Sequence, residues 1–211
     1  MLTLAISTSS GQFALVIGEA TKILFDSTEH PEMGNELDDI LFTGLFHCNR
    51  TINDIKGIIV DIGPGGTSRV RTGIAFANSL AYSLGIPVCP VPSMKLAGIE
   101  AWNRFGHPVI HSVKSIKGNA YIGLYTNDDC SIQYGRINEV VPLLVSDFES
   151  FTVVGAHRDA IMLLASLSGK TIIDSGMSFG NARFMIEKCN YFSERKSDFP
   201  TYAQPVTEKT V

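Results

Sequence analysis

Ile58-Ile59-Val60-Asp61-Ile62-Gly63-Pro64-Gly65-Gly66-Thr67-Ser68-Arg69-Val70-Arg71-Thr72-Gly73 opens the stretch that decides the fold, and it runs on to Pro92 as IAFANSLAYSLGIPVCPVP. Ile58, Ile59 and Val60 are β-branched and stand just before the glycines, as a buried strand does. Thr67 or Ser68 is placed to cap a following helix, because a side-chain oxygen accepts a free N–H of the first turn. Gly85 and Pro87 are its stop signals. The stretch therefore reads as strand, glycine turn, helix, strand: a parallel βαβ unit. Val70, Ile74, Ala77, Ala81 and Leu84 draw one apolar stripe, and Gly73, Phe76, Leu80 and Ser83 draw a second, of small and apolar groups. A helix with one wet edge buries two faces. Its own sheet takes one; a second helix layer of the same chain or a partner protein takes the other.

Working outward, Leu2, Leu4 and Ile6 begin a strand, Thr8-Ser9-Ser10-Gly11 is a turn, and Phe13 to Ile17 and Ile23 to Phe25 complete a meander. Residues 33–48 read as a helix burying Leu37, Ile40, Leu41, Leu45 and Phe46, with Asn49 as its C-cap. The second half repeats this opening: strands at Val109-Ile110, Ala120 to Tyr125 and Ser131 to Arg136, with Gly118 in the place of Gly11. Phe151 to Val154 and Thr171 to Ile173 follow as strands. Arg158 to Leu167 and Phe179 to Cys189 read as helices, and the tail from Ser193 is irregular. A three-strand meander followed by alternating helices and strands, occurring twice, is an internal duplication. Gly106 and Pro108 place its boundary near Ala101 to His107.

The chain has 211 residues, 45% hydrophobic and 18% charged, with a formal net charge of −4. That composition suits a folded core and argues against independent nucleic-acid binding. No apolar run is long enough for a membrane span, and the start MLTLAISTSS lacks the pattern of a signal peptide, so a cytoplasmic location is expected. Cys48, Cys89, Cys130 and Cys189 form no CxxC pair and read as reduced thiols.

The glycine turn could hold a phosphate at a helix N-terminus, but it lacks the Lys and Ser/Thr of a P-loop; a tight strand-to-helix turn explains the glycines as well. Arg69 and Arg71 in the first helical turn oppose the helix dipole and suit an anion, a partner carboxylate or water. His107 and His111 have the spacing of a helical metal pair, yet Pro108 puts them at the start of a strand, so a metal site is not expected. Asp61 and Asp174 end apolar strands, where a carboxylate serves either a hydrated cation or a turn.

Two such halves look like the actin-like ATPase and sugar-kinase superfold. Gly63-Pro64-Gly65-Gly66-Thr67-Ser68-Arg69-Val70-Arg71-Thr72-Gly73 resembles the GPGSFTGVRIG signature of the TsaB family, and IAFANSLAYSLGIPVCPVPSMKLA is similar to that family's continuation. AISTSS looks like its A-L-D-T-S, and Pro200-Thr201-Tyr202 like its Pro-x-Tyr. Ser7 stands where the family has Asp, Gly66 and Thr67 where it has Ser-Phe, and Arg69 where it has Gly. The family's His-Ser falls at Met33-Gly34, and its Asp-Ala-Arg has become Lys114-Ser115-Ile116.

The resemblance implies an α/β chain with the duplicated actin-like ATPase (ASKHA, RNase H-like) fold, in two βββαβαβ-type halves. Residues 1–102 would carry the glycine turn (Gly63, Pro64, Gly65, Gly66) and the interface helices; residues 103–211 would form a smaller half with an irregular tail. It implies a catalytically inactive relative that pairs with TsaD, and with the ATPase TsaE, in placing threonylcarbamoyl on adenosine 37 of tRNA. ATP and metal belong to those partners, and tRNA is reached only through the complex. The partner interface is expected at Leu37, Ile40 and Leu41 with Arg71, Gly73, Phe76, Ala77, Leu80 and Ser83, facing TsaD or, in isolation, a second copy. The rival expectations are an independent actin-fold ATPase or phosphotransferase, against which Ser7 speaks, and a self-associating structural dimer.

Overall fold

A computed structural model describes residues 1–30, 36–127, 129–166, 168–188 and 202–211. The expected helical residues Met33 and Gly34, the helix ends Leu167 and Cys189, and Pro200 and Thr201 lie outside the described residues.

The first repeat runs β1 (Leu2–Ser7), β2 (Ala14–Glu19), β3 (Lys22–Asp26), α1 (Leu37–His47), β4 (Ile55–Asp61), α2 (Thr67–Leu84) and β5 (Val88–Val91). Its sheet has the order β3-β2-β1-β4-β5, antiparallel through the meander and parallel from β1 onward. β4 is flanked by parallel strands on both sides, which is why Ile58, Ile59 and Val60 form a continuous apolar run instead of alternating. On β1, Leu2, Leu4 and Ile6 share a core with the inner residues of α1 and α2. α2 starts from Gly66 with no side-chain cap, so Thr67 and Ser68 are its first helical residues and not its cap. It ends at Gly85 (φ 62°), whose N–H bonds back to Ala81 and Tyr82. Asn49 closes α1 in the same left-handed conformation (φ 54°) one residue past the C-cap Cys48.

The second repeat runs β6 (Val109–Lys114), β7 (Ala120–Thr126), β8 (Asp129–Gly135), α4 (Ile137–Leu144), β9 (Ser150–Gly155), α5 (Arg158–Ser166) and β10 (Thr171–Asp174). Its sheet order, β10-β9-β6-β7-β8, is that of the first sheet read in reverse. Ile110, Ile122, Phe151 and Val153 share a core with α4 and α5. α4 has no counterpart in the sequence reading, because Pro142 inside it interrupts the helical pattern.

The helix that follows each repeat belongs to the other unit. One unit comprises Met1–Pro92 with Ala182–Pro205, the other Ser93–Asn181 with Val206–Val211. A boundary at 102 therefore cuts α3 (Ser93–Phe105), which packs on β6 and β7; Gly98 lies so close to Tyr125 that a Cβ there would stand 2.5 Å from the ring. α6 (Arg183–Glu187) is shorter than the helix expected from Phe179 and packs on β1, β2 and β3. Gly18 opens that face to Ile186, whose Cγ2 would lie 2.2 Å from an added Cβ. Among the described residues no helix is long and apolar enough to cross a membrane.

Candidate partner interface

The turn after β1 closes over the glycine turn after β4, and Asp61 joins them. This carboxylate is 1% exposed and accepts from Ser7 Oγ at 2.7 Å, from Ser9 Oγ and from the Gly63 N–H at 2.8 Å. Burial pushes its pKa above the usual carboxylate value, while the hydrogen bonds from Ser9, Gly63 and Ser7 pull it down. Thr8 Oγ1 donates to the Arg69 carbonyl at 2.8 Å. Gly63 has φ 81° and is followed by a cis peptide to Pro64. A Cβ on Gly65 would stand 2.6 Å from Ser9 Cβ and 2.7 Å from its backbone oxygen, whereas Gly66 faces open space. The hydroxyls of Ser7, Ser9 and Thr8 at the first turn thus donate to Asp61 and Arg69 at the second. Asp174 makes the smaller version of this turn in the second unit, accepting from the Gly176 N–H at 2.9 Å and pairing with Arg158 at 3.1 Å.

Gly73 serves the same closure. Its missing side chain makes room for Thr8, whose Oγ1 and Cγ2 would stand 2.6 and 2.8 Å from a Cβ. Gly73→Ala is expected to cost about 1–3 kcal/mol by overpacking. Gly66→Ala, with φ −60° and free space, should stay within about 0.5 kcal/mol of the parent. Urea midpoints of the two variants check the contrast.

α1 and α2 lie on the same face of the first sheet and leave apolar groups outside. Phe42 and Phe46, one turn apart on α1, are 59% and 87% exposed, and Tyr82 on α2 is 91% exposed. From Thr72 to Leu84 no residue is charged. Thr72, Ala75, Ser79, Tyr82 and Ser83 are exposed, and Phe76 and Leu80 are half-buried at the edge of the core. An apolar helix surface of this kind marks an interaction site more often than bulk solvent contact.

The structure divides the residues expected at the interface. Leu37, Ile40, Leu41 and Ala77 are 5%, 3%, 2% and 0% exposed and face their own sheet, so they cannot touch a partner. Gly73 is buried against Thr8 and is not a notch for a second helix. Arg71 and Ser83 are exposed, while Phe76 and Leu80 divide their surface between core and solvent. Phe46, expected on the buried side of α1, points outward. Gly44 takes the inner position, where a Cβ would press to 2.7 Å from the Phe25 ring. The i,i+4 aromatic pair beside the Leu37–Leu41–Leu45 stripe was the signal for this outer face.

Two βββαβαβ repeats, each lending its following helix to the other unit, define a duplicated actin-like fold of the ASKHA class. The family model described as "TsaD: tRNA N6-adenosine threonylcarbamoyltransferase" matches residues 35–133. The chain is 27% identical over 179 residues to "tRNA threonylcarbamoyladenosine biosynthesis protein TsaB" of Escherichia coli (strain K12), covering 81% of this chain and 76% of that one. It is 30% identical over 95 residues to the protein of the same name in Bacillus subtilis (strain 168), covering 45% of this chain and 39% of that one. The structure of "YeaZ from Pseudomonas aeruginosa" superposes with a TM-score of 0.76 at 17% identity, covering 98% of this chain and 100% of the other. Over most of its length the chain is thus similar to a TsaB protein in sequence, and it shares the fold of YeaZ.

Proposed function

We propose that this chain takes part in threonylcarbamoyladenosine modification of tRNA as a non-catalytic scaffold, pairing with the TsaD transferase through the outer faces of α1 and α2. The observation that carries the reading is the apolar surface of Phe42, Phe46 and Tyr82 on two helices whose inner sides are already buried. A hairpin that held a nucleotide-bound cation would use an acidic side chain at the end of β1. Ser7 stands there, hydrogen-bonded to Asp61, the nearest strand-ending carboxylate, which is enclosed by three donors. In this reading nucleotide and metal belong to TsaD and TsaE, and tRNA is met through the assembled complex.

Phe46→Asp places a charge at the centre of the proposed contact without touching the core, and should weaken association with TsaD by about 30-fold or more. Isothermal titration of the purified pair reads this. Parent-like affinity of Phe46→Asp and of Tyr82→Asp would remove the face from consideration. ATP turnover by the isolated chain, lost on substituting Asp61, would instead favour an actin-fold phosphotransferase.

A further inference from the structure

Asn78 makes a paired contact that the sequence reading passes over. Its Nδ2 donates to the Ala203 carbonyl at 3.0 Å, and its Oδ1 accepts the Ala203 N–H at 2.8 Å. One side-chain amide therefore satisfies both backbone groups of a residue 125 positions away. A carboxamide carries a donor and an acceptor side by side, which no aliphatic, hydroxyl or charged side chain does. Ala203 is 3% exposed and sits in the apolar core of the first unit. The pair fixes register: with Ala203 turned inward, Tyr202 is left 53% exposed, and its hydroxyl accepts from Gln204 Nε2 at 3.2 Å.

The position on α2 gives this pin a consequence. Residues three before and four after Asn78 are Ala75 and Tyr82, which share its flank of the helix and are exposed. The pair thus holds the chain at Ala203 against that flank of α2, with Tyr202 next to it in the sequence and half exposed. We infer that Asn78 is a positioning residue for partner binding: it holds the C-terminal segment in register so that Tyr202 forms the rim of the docking face for the transferase. The inference rests on the docking role proposed above. Tyrosine is suited to such a rim, its ring adding apolar area and its hydroxyl remaining in contact with polar groups.

The test pairs hydrogen exchange with binding to TsaD, using Asn78→Leu, Tyr202→Ala and Phe46→Asp. Leucine removes both hydrogen bonds and puts no unpaired side-chain amide on α2; the groups it frees are the N–H and C=O of Ala203, outside the helix, so α2 should fold. Asn78→Leu is expected to speed exchange at the Ala203 amide about 10-fold, as the loss of roughly one net hydrogen bond dictates, while α2 keeps its protection. Asn78→Leu and Tyr202→Ala should each weaken binding by about 5- to 20-fold, and the double variant should be little worse than either, because both act on the same contact. Unchanged exchange at Ala203 would overturn the pin. Faster exchange with parent-like binding in both variants, while Phe46→Asp abolishes binding, would overturn the rim alone. Parent-like binding of Phe46→Asp would overturn the docking role and the rim with it.

Discussion

Asp61→Ala is expected to destabilise the first unit by roughly 2–4 kcal/mol, the cost of a buried N–H left without its acceptor together with the cavity the carboxylate leaves. Ser7 Oγ and Ser9 Oγ both donate to Oδ2, and the Gly63 N–H donates to Oδ1. The serine hydroxyls can rotate toward other acceptors. The Gly63 N–H cannot, because its direction is fixed by the backbone of the turn. The effect should spread beyond β4, since the same carboxylate ties the turn after β1 to the turn that launches α2, and Thr8 and Arg69 lie between them. Urea unfolding followed by circular dichroism reads the loss; a change under about 1 kcal/mol would mean the two turns hold without the carboxylate.

Asp61→Asn separates shape from charge. Asparagine keeps one acceptor for the Gly63 N–H, and its amide can donate to serine hydroxyls that reverse their direction. It should therefore cost distinctly less than alanine. The sign of the pH dependence follows from the raised pKa of Asp61. A carboxyl whose native pKa lies above its unfolded value favours the native state below the unfolded pKa, and that contribution is lost as pH rises through the native pKa. Burial of the charged form is therefore a standing cost near neutrality. Asparagine, always neutral, escapes it.

Much of this fold is legible in the residues because its signals are local. The period-two strands of the meander, the continuous run of β4 and the left-handed Gly85 each announce themselves within a few positions. The exchange of α3 and α6 between units does not, because it depends on fits between distant residues: Gly98 against Tyr125, and Gly18 against Ile186. The interface shows the same division. Apolar stripes on both helices are readable, but which stripe faces the sheet is set by small side chains such as Gly44 and Gly73, whose neighbours Phe25 and Thr8 come from other elements. Thus Leu37, Ile40 and Leu41 went to the core and Phe46 to the outside. The Asn78–Ala203 pair, spanning 125 positions, leaves no periodic trace.

Acid should weaken the second unit through His111 by roughly 3 kcal/mol between about pH 6.5 and pH 4. His111 lies on β6, 1% exposed, with the Phe179 ring set edge-on at 6.3 Å. Burial lowers its pKa from 6.5 to about 4, and a backbone contact from Ser178 offsets this only in part. Neither ring nitrogen has a well-formed hydrogen bond to stabilise an added proton. As pH falls, the unfolded chain takes up the proton first, so the contribution is complete above the unfolded pKa and is lost as pH falls toward the native one. His157, whose pKa is lowered first by burial and then by Lys114, acts in the same direction, whereas Asp61 acts in the opposite one in the first unit. His111→Leu replaces the imidazole with an apolar side chain of similar bulk, so it should stay within about 1.5 kcal/mol of the parent near pH 7. Near pH 4.5 it should be the more stable of the two, because it takes up no proton on unfolding at that position. Urea denaturation of both proteins at the two pH values makes the comparison. Equal losses on acidification would assign the acid sensitivity to groups other than His111.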